Sequence, residues 1–299
     1  MKTLKKLLAL TLTATLCLGM LTACGGDTTG DQKDYSKMTI EELKPLLQTV
    51  EAGKLTVATS PDFAPYEFYA IGDNGPELAG FDMALAQYVA DYLGLELEVV
   101  PIDFDGVIME LQTKNVDLGM AGLSADPKRA NAMDFSHIYY KGGQSFVCVQ
   151  SNQDLFKTLE DTNNPDYQIG AQIGSIQVDL AEANSPDAEI IRLSKVTDII
   201  AELLGGKLDG AYIETAVAVS YAQNYPELCI VLDVPYEASE GSAIGVVKDN
   251  PALLAAVNLA VDAALEDGSM DDFVAVANDL ASGNIYEGLL DEYENADVG

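Results

Sequence analysis

Several short stretches carry side chains able to grip a small zwitterion. Arg129, in Asp126-Pro127-Lys128-Arg129, can offer a two-pronged guanidinium fork to a carboxylate. Ser124 adds a hydroxyl just upstream. Gly174-Ser175-Ile176-Gln177 reads as a helix start whose N–H groups would face an anion. Glu214 can take an ammonium, and Phe63 can cover an apolar stem or stack on a cation. Donors for a carboxylate and an acceptor for an ammonium together suit an α-amino acid. Each residue also has a local explanation that needs no ligand. Arg129, read in a first helical turn, could be an exposed partner in a weak ion pair. Glu214 could be a helix N-terminal acid, Phe63 and Phe104 core residues, and Ser124 and Ser175 N-caps.

Strands and helices alternate around these stretches. Leu55-Thr-Val-Ala-Thr reads as a strand entering the Ser60-Pro-Asp-Phe-Ala-Pro loop. Phe81, Ala84, Leu85, Tyr88, Val89, Tyr92 and Leu93 mark one face of a helix ended by Gly94. Leu95 to Val100 alternates like a strand. A helix carrying Val107, Ile108 and Leu111 leads into a buried strand, Val116 to Gly122. The second half repeats this order, with a helix through Val196, Ile199, Ile200, Leu203 and Leu204 and a strand Leu208 to Ile213. Glu110-Leu111…Val116-Asp117 and Glu202-Leu203…Leu208-Asp209 superpose at one constant offset, which predicts two similar lobes. Strand–helix alternation predicts an α/β architecture with parallel sheets, where ligands bind beyond the carboxyl ends of strands. Asn250-Pro251 should open a helix over 252–266, and another spans 270–281.

The chain has 299 residues, with 16 Lys and Arg against 48 Asp and Glu, a net charge of −32. No dense cationic face can be assembled from it, so nucleic acid is excluded as a partner. A single histidine, His137, and two arginines, Arg129 and Arg192, exclude sites built on clusters of either. No GxxxxGK[ST], GxGxxG, HExxH or GxSxG motif is present, and no cofactor or metal site is expected. Cys148 and Cys229 each lie in an apolar run and read as two buried thiols whose pairing stays open.

Lys2, Lys5 and Lys6 precede a short apolar run, Leu7 to Gly19, and then Leu21-Thr-Ala-Cys24. That order matches an export leader over 1–23, cut before Cys24, whose thiol would take a lipid. Residues 24–37 are polar and aperiodic and would tether the lipid to the folded part. Residues 287–299 read as an acidic tail.

Taken together, these residues resemble the amino-acid-binding lipoproteins of ABC importers, which have the type II periplasmic-binding-protein fold. The matching segments are Gly53 to Phe68, Gly80-Phe-Asp82, Val116 to Arg129, Asp134-Phe-Ser136…Tyr139-Tyr140, Gly174-Ser175 and Leu208-Asp209. The resemblance implies two lobes, 38–142 with 240–286 and 143–239, each a parallel-rich sheet flanked by helices and joined by a two-strand hinge. It implies an amino acid captured by hinge closure and delivered to a permease and an ATPase. The protein would be a monomer held by Cys24 to the outer face of the bacterial cytoplasmic membrane. Phe63 would be the aromatic lid. The Gly122 carbonyl would hold the ammonium and Ser124 the carboxylate. Arg129, Ser175 and the Ile176 N–H would complete the carboxylate cradle. Glu214 stands where the family usually has an aspartate for the ammonium, Gly122 where a serine is common, and Ser60 where several binders of basic amino acids are acidic. Ser60, Tyr66 and Phe104 would shape side-chain selectivity. The implied alternatives are a dehydratase on the same scaffold using Glu214 as acid, and a ligand-sensing module.

Overall fold

The computed structural model describes residues 33–72, 75–283 and 285. The leader expected over 1–23, Cys24, most of the expected 24–37 tether and the expected 287–299 tail lie outside the described residues. Among the described residues before Met38 there is a single 3₁₀ turn, Tyr35–Lys37. The compact unit that starts at Met38 holds both main sheets.

Two five-stranded sheets carry the fold. β1 (Lys54–Thr59) opens the first, and a small antiparallel ribbon follows: β2 (Asp62–Phe63), β3 (Glu67–Gly72) and β4 (Gly75–Ala79). β5 (Glu96–Pro101), β6 (Leu118–Gly119) and β7 (Met133–Tyr140) return to the first sheet. β8 (Gln144–Val149), β9 (Gln168–Gln172), β10 (Glu189–Leu193), β11 (Gly210–Glu214) and β12 (Leu228–Asp233) build the second. β13 (Ser242–Val247) goes back to the first. The strand orders are β5-β1-β6-β13-β7 and β10-β9-β11-β8-β12. In each, the first three strands run parallel and the last two pair antiparallel. In both sheets the fourth strand is the one delivered by a crossing from the other sheet, at 141–143 and at 234–241.

The helices follow their apolar stripes. Phe81–Leu93 buries Phe81, Leu85 and Val89 and stops at Gly94, whose φ of 75° suits glycine, with Leu95 N–H closing back on the Ala90 carbonyl. Phe104–Gln112 buries Val107 and Leu111, and Val196–Leu204 buries Ile199, Ile200 and Leu203. Of the residues that superpose by a constant offset in the sequence, Glu110-Leu111 and Glu202-Leu203 therefore lie in corresponding helices, and Val116-Asp117 and Leu208-Asp209 just before the third strand of each sheet. Even the aspartates match in role. Asp117 accepts the Thr56 N–H at 2.9 Å and Asp209 the Gln168 N–H at 2.9 Å, each tied to its sheet's second strand.

Asp117 also takes the Thr56 hydroxyl at 2.7 Å and the Val50 N–H at 2.8 Å. Asp117→Ala leaves three donors without that acceptor and should cost about 3–5 kcal/mol, against about 1 kcal/mol for Asp209→Ala. Urea midpoints of the two variants, at unchanged m-value, check the difference.

Three local expectations change. The strand expected over Val116 to Gly122 is shorter, Leu118–Gly119 with flanking backbone bonds at Asp117 and Met120, because the chain turns off at Gly122 with φ at 55°. The strand after the second repeat begins at Gly210 rather than Leu208. Cys148 and Cys229 are direct cross-strand partners with their sulfurs 3.6 Å apart, yet only Cys148 is buried and Cys229 is half-exposed. Among the described residues no helix is long and apolar enough to cross a membrane.

Candidate functional site

Arg129 closes a three-residue 3₁₀ turn, Pro127–Arg129, set by proline at its first position. Asp126 staples that turn, accepting the Lys128 N–H at 2.8 Å and the Tyr236 hydroxyl at 2.6 Å. Burial alone would raise the Asp126 carboxyl. These two donors, with the Lys128 and Arg129 charges, hold it below its ordinary value. Arg129 thus ends a short turn instead of opening a helix, and the expected conflict with a helix dipole does not arise. Its guanidinium donates to the Ser124 carbonyl at 3.4 Å and the Gly174 carbonyl at 3.1 Å, and lies 5.6 Å over the Phe104 ring. Those partners are all neutral. Burial lowers its pKa, but arginine remains a cation, so its charge is available to a carboxylate.

The anion would meet a helix start. β9 ends at Gln172, and Gly174 bends the chain with φ at 75°. The Ser175 hydroxyl turns back to the Gln172 carbonyl at 2.7 Å, so the helix Ile176–Asn184 begins without a side-chain cap. Its first N–H groups, that of Ile176 included, point the positive end of the helix toward the loop that Arg129 touches.

Glu214 ends β11 and opens the helix Thr215–Asn224. One oxygen accepts the Val217 N–H at 2.9 Å, the other the Tyr66 hydroxyl at 3.1 Å, and Ser242 in turn donates to Tyr66 at 3.4 Å. Burial pushes this carboxyl up to about 7, against the pull of the Val217 N–H and the Tyr66 hydroxyl. Gly142 makes the arrangement possible, since a Cβ there would lie 2.4 Å from Glu214 Oε1. A cavity of about 70 Å³ has Ser124, Gly142, Glu214, Tyr236 and Ser242 in its wall, so Ser124 and Glu214 face one space. It has room for a small polar group rather than a whole amino acid.

Phe63 is buried, its ring centre 5.4 Å from that of Tyr66, and Tyr66 packs 4.3 Å from Phe81. A Cβ on Gly122 would come within 2.8 Å of Phe63, so the missing side chain is what admits the ring. The Gly122 N–H is held by Asp82 at 3.1 Å.

The structure therefore brings Ser124, Arg129, Phe104, Ser175 and Ile176 together. Phe63, Tyr66, Gly122 and Glu214 form a second, adjoining group. The Ser60 hydroxyl donates to Asp62 at 2.8 Å. Sequence reasoning missed Asp82, Asp126, Gly142 and Tyr236. Gly142-Gly143 directly after a strand is a usable signal, and Asp82 stands in a matching segment. Nothing in the sequence links Tyr236 to Asp126.

Residues 55–275 match the family described as bacterial extracellular solute-binding proteins, family 3. The arginine-binding extracellular protein of Bacillus subtilis is 31% identical over 251 residues, 83% of this chain and 88% of that protein. A cyclohexadienyl dehydratase of Pseudomonas aeruginosa is 30% identical over 182 residues, 61% of this chain and 67% of that enzyme. Among solved structures, an amino acid ABC transporter substrate-binding protein from Streptococcus pneumoniae bound to L-arginine superposes with a TM-score of 0.74. It is 30% identical, over 81% of this chain and 99% of that one.

Proposed function

The chain belongs to the bacterial extracellular solute-binding proteins, family 3, and from that membership we propose how its own residues capture an amino acid for an ABC importer. Two opposite charges carry the reading. Arg129 has only neutral hydrogen-bond partners and Glu214 has only donors that are not cations, so neither sits in an ion pair among the described residues. Arg129, Ser124 and the Ile176 N–H take the carboxylate, with Ser175 shaping the loop. Glu214 and the Gly122 carbonyl take the ammonium. Phe63 lies over the ligand, and Ser60, Tyr66 and Phe104 border its side chain.

The halves that close are 38–142 with 240–286, and 143–239, hinged at the two crossings. Closure follows from contacts that exist only when both halves touch the ligand. Residues 1–23 act as a secretion signal, and Cys24 carries a lipid that keeps a monomer at the outer face of the cytoplasmic membrane. A permease and an ATPase receive the ligand. L-arginine is the first amino acid to test, because the arginine-binding relatives supply it.

A panel of the twenty amino acids tests this on protein stripped of ligand by unfolding and refolding. A ligand at 100 times its dissociation constant should add about 2.7 kcal/mol, a shift of several degrees in melting temperature. One or a few amino acids, arginine first, should give that shift. A flat panel from folded protein overturns the proposal.

Glu214 favours a second reading, since a carboxyl near 7 is also what a general acid needs. Prephenate and arogenate should pass through unchanged when followed by absorbance. Conversion lost in Glu214→Gln would establish the dehydratase instead.

A further inference from the structure

The helix Val196–Leu204 has no cap of its own. Its N-cap residue is Lys195, which carries no acceptor. A carboxylate arrives from the other half of the molecule. Asp62, on the two-residue strand β2, accepts the Val196 N–H and, at 3.4 Å, the Gln172 amide. Its second oxygen takes the Ser60 hydroxyl at 2.8 Å. Its backbone carbonyl accepts the Tyr221 hydroxyl at 3.1 Å, from the helix Thr215–Asn224. One residue following β1 thus holds β9 and two helices of the second sheet.

We infer that Asp62 is a positioning residue that latches the two halves in the closed arrangement without ligand, and so sets the balance between open and closed forms. The inference rests on the proposed closure of two halves. Both Asp62 oxygens already accept hydrogen bonds from the protein, so its carboxylate serves the closed arrangement rather than a ligand side chain. Burial lifts the carboxyl to about 6, still ionised at neutral pH, and the bond to the helix start is charge-assisted. The ion pair that joins the halves, Lys128 to Asp179 at 2.6 Å, is exposed on both sides and holds them weakly. A latch of this kind raises the fraction of ligand-free protein that is already competent, and every release must break it.

Small-angle scattering of the full chain, stripped of ligand, tests the latch with and without saturating L-arginine. Wild type should be nearly as compact free as bound. Asp62→Ala should be expanded when free and return to the compact radius with ligand, and it should release ligand about tenfold faster. Tyr221→Phe, which removes one hydroxyl and little packing, should shift the same way by less. The latch is overturned if free wild type is as open as Asp62→Ala, or if both are equally compact. The free-protein comparison decides this even if no amino acid binds, an outcome that would overturn the capture reading alone.

Discussion

Arg129→Ala should fold normally and lose its amino acid, with the dissociation constant rising roughly a thousandfold. Truncating one member of a desolvated, hydrogen-bonded charge pair costs about 2–5 kcal/mol, and about 4 kcal/mol corresponds to that factor. The free protein should tolerate the change. Arg129 gives up only two hydrogen bonds to backbone carbonyls and a ring contact, so the melting temperature without ligand should fall by a few degrees at most. Arg129→Lys keeps the charge but not the planar fork and should fall between the two proteins. Calorimetric titration beside a melting curve separates affinity from stability. Near-normal binding by the alanine variant removes Arg129 from the carboxylate cradle.

Glu214 should couple binding to pH. In the free protein its carboxyl titrates near 7, and an ammonium placed against it favours the ionised form. Affinity is therefore full above about pH 7 and falls up to tenfold per unit below it, with a proton released on binding. Titration at pH 6 in two buffers of different ionisation heat should show close to one proton released. Glu214→Gln keeps the acceptor for the Val217 N–H, loses the charge, and should bind about a hundredfold more weakly with no proton linkage.

Stability runs the other way. Because the folded carboxyl is raised, its contribution is present below the ordinary value of 4.5 and is lost as pH rises through about 7. Asp62 and Asp82, both raised by burial to about 6, act in the same sense from 3.8 upward. The free protein should melt higher at pH 5 than at pH 7.5, while it binds better at pH 7.5. A substrate that carries only negative charge, such as prephenate, would instead draw a proton onto Glu214, so the sign of the proton count also separates amino acid capture from chemistry on that substrate.

The repeated order of helix and strand is readable because it depends on local periodicity. The stripe through Val107 and Leu111, and its counterpart through Ile199 and Leu203, specify buried faces wherever the chain goes next. The strand ends are less readable. Val116 to Gly122 has strand composition throughout, but the ladder stops where Gly122 must leave the sheet to meet Phe63. Asp-Pro commonly opens a helix, and local pattern alone therefore puts Arg129 in a first helical turn. The turn ends after a single cycle because Asp126 is tied to Tyr236, a residue on the second crossing whose arrival no local pattern announces. The same holds for Tyr66 and Glu214, joined across 148 positions, and for the half-exposure of Cys229.

The two crossings also set an order of assembly. Strands β8 to β12 are consecutive in sequence, so the second sheet can be completed from one uninterrupted stretch of chain. The first sheet cannot. β13 lies between β6 and β7, so until residues 242–247 arrive the sheet is two fragments with open edges in its middle. As the chain is made, the half that begins first in the sequence is therefore the last to have all its strands, and until then its unpaired edges are open to other chains.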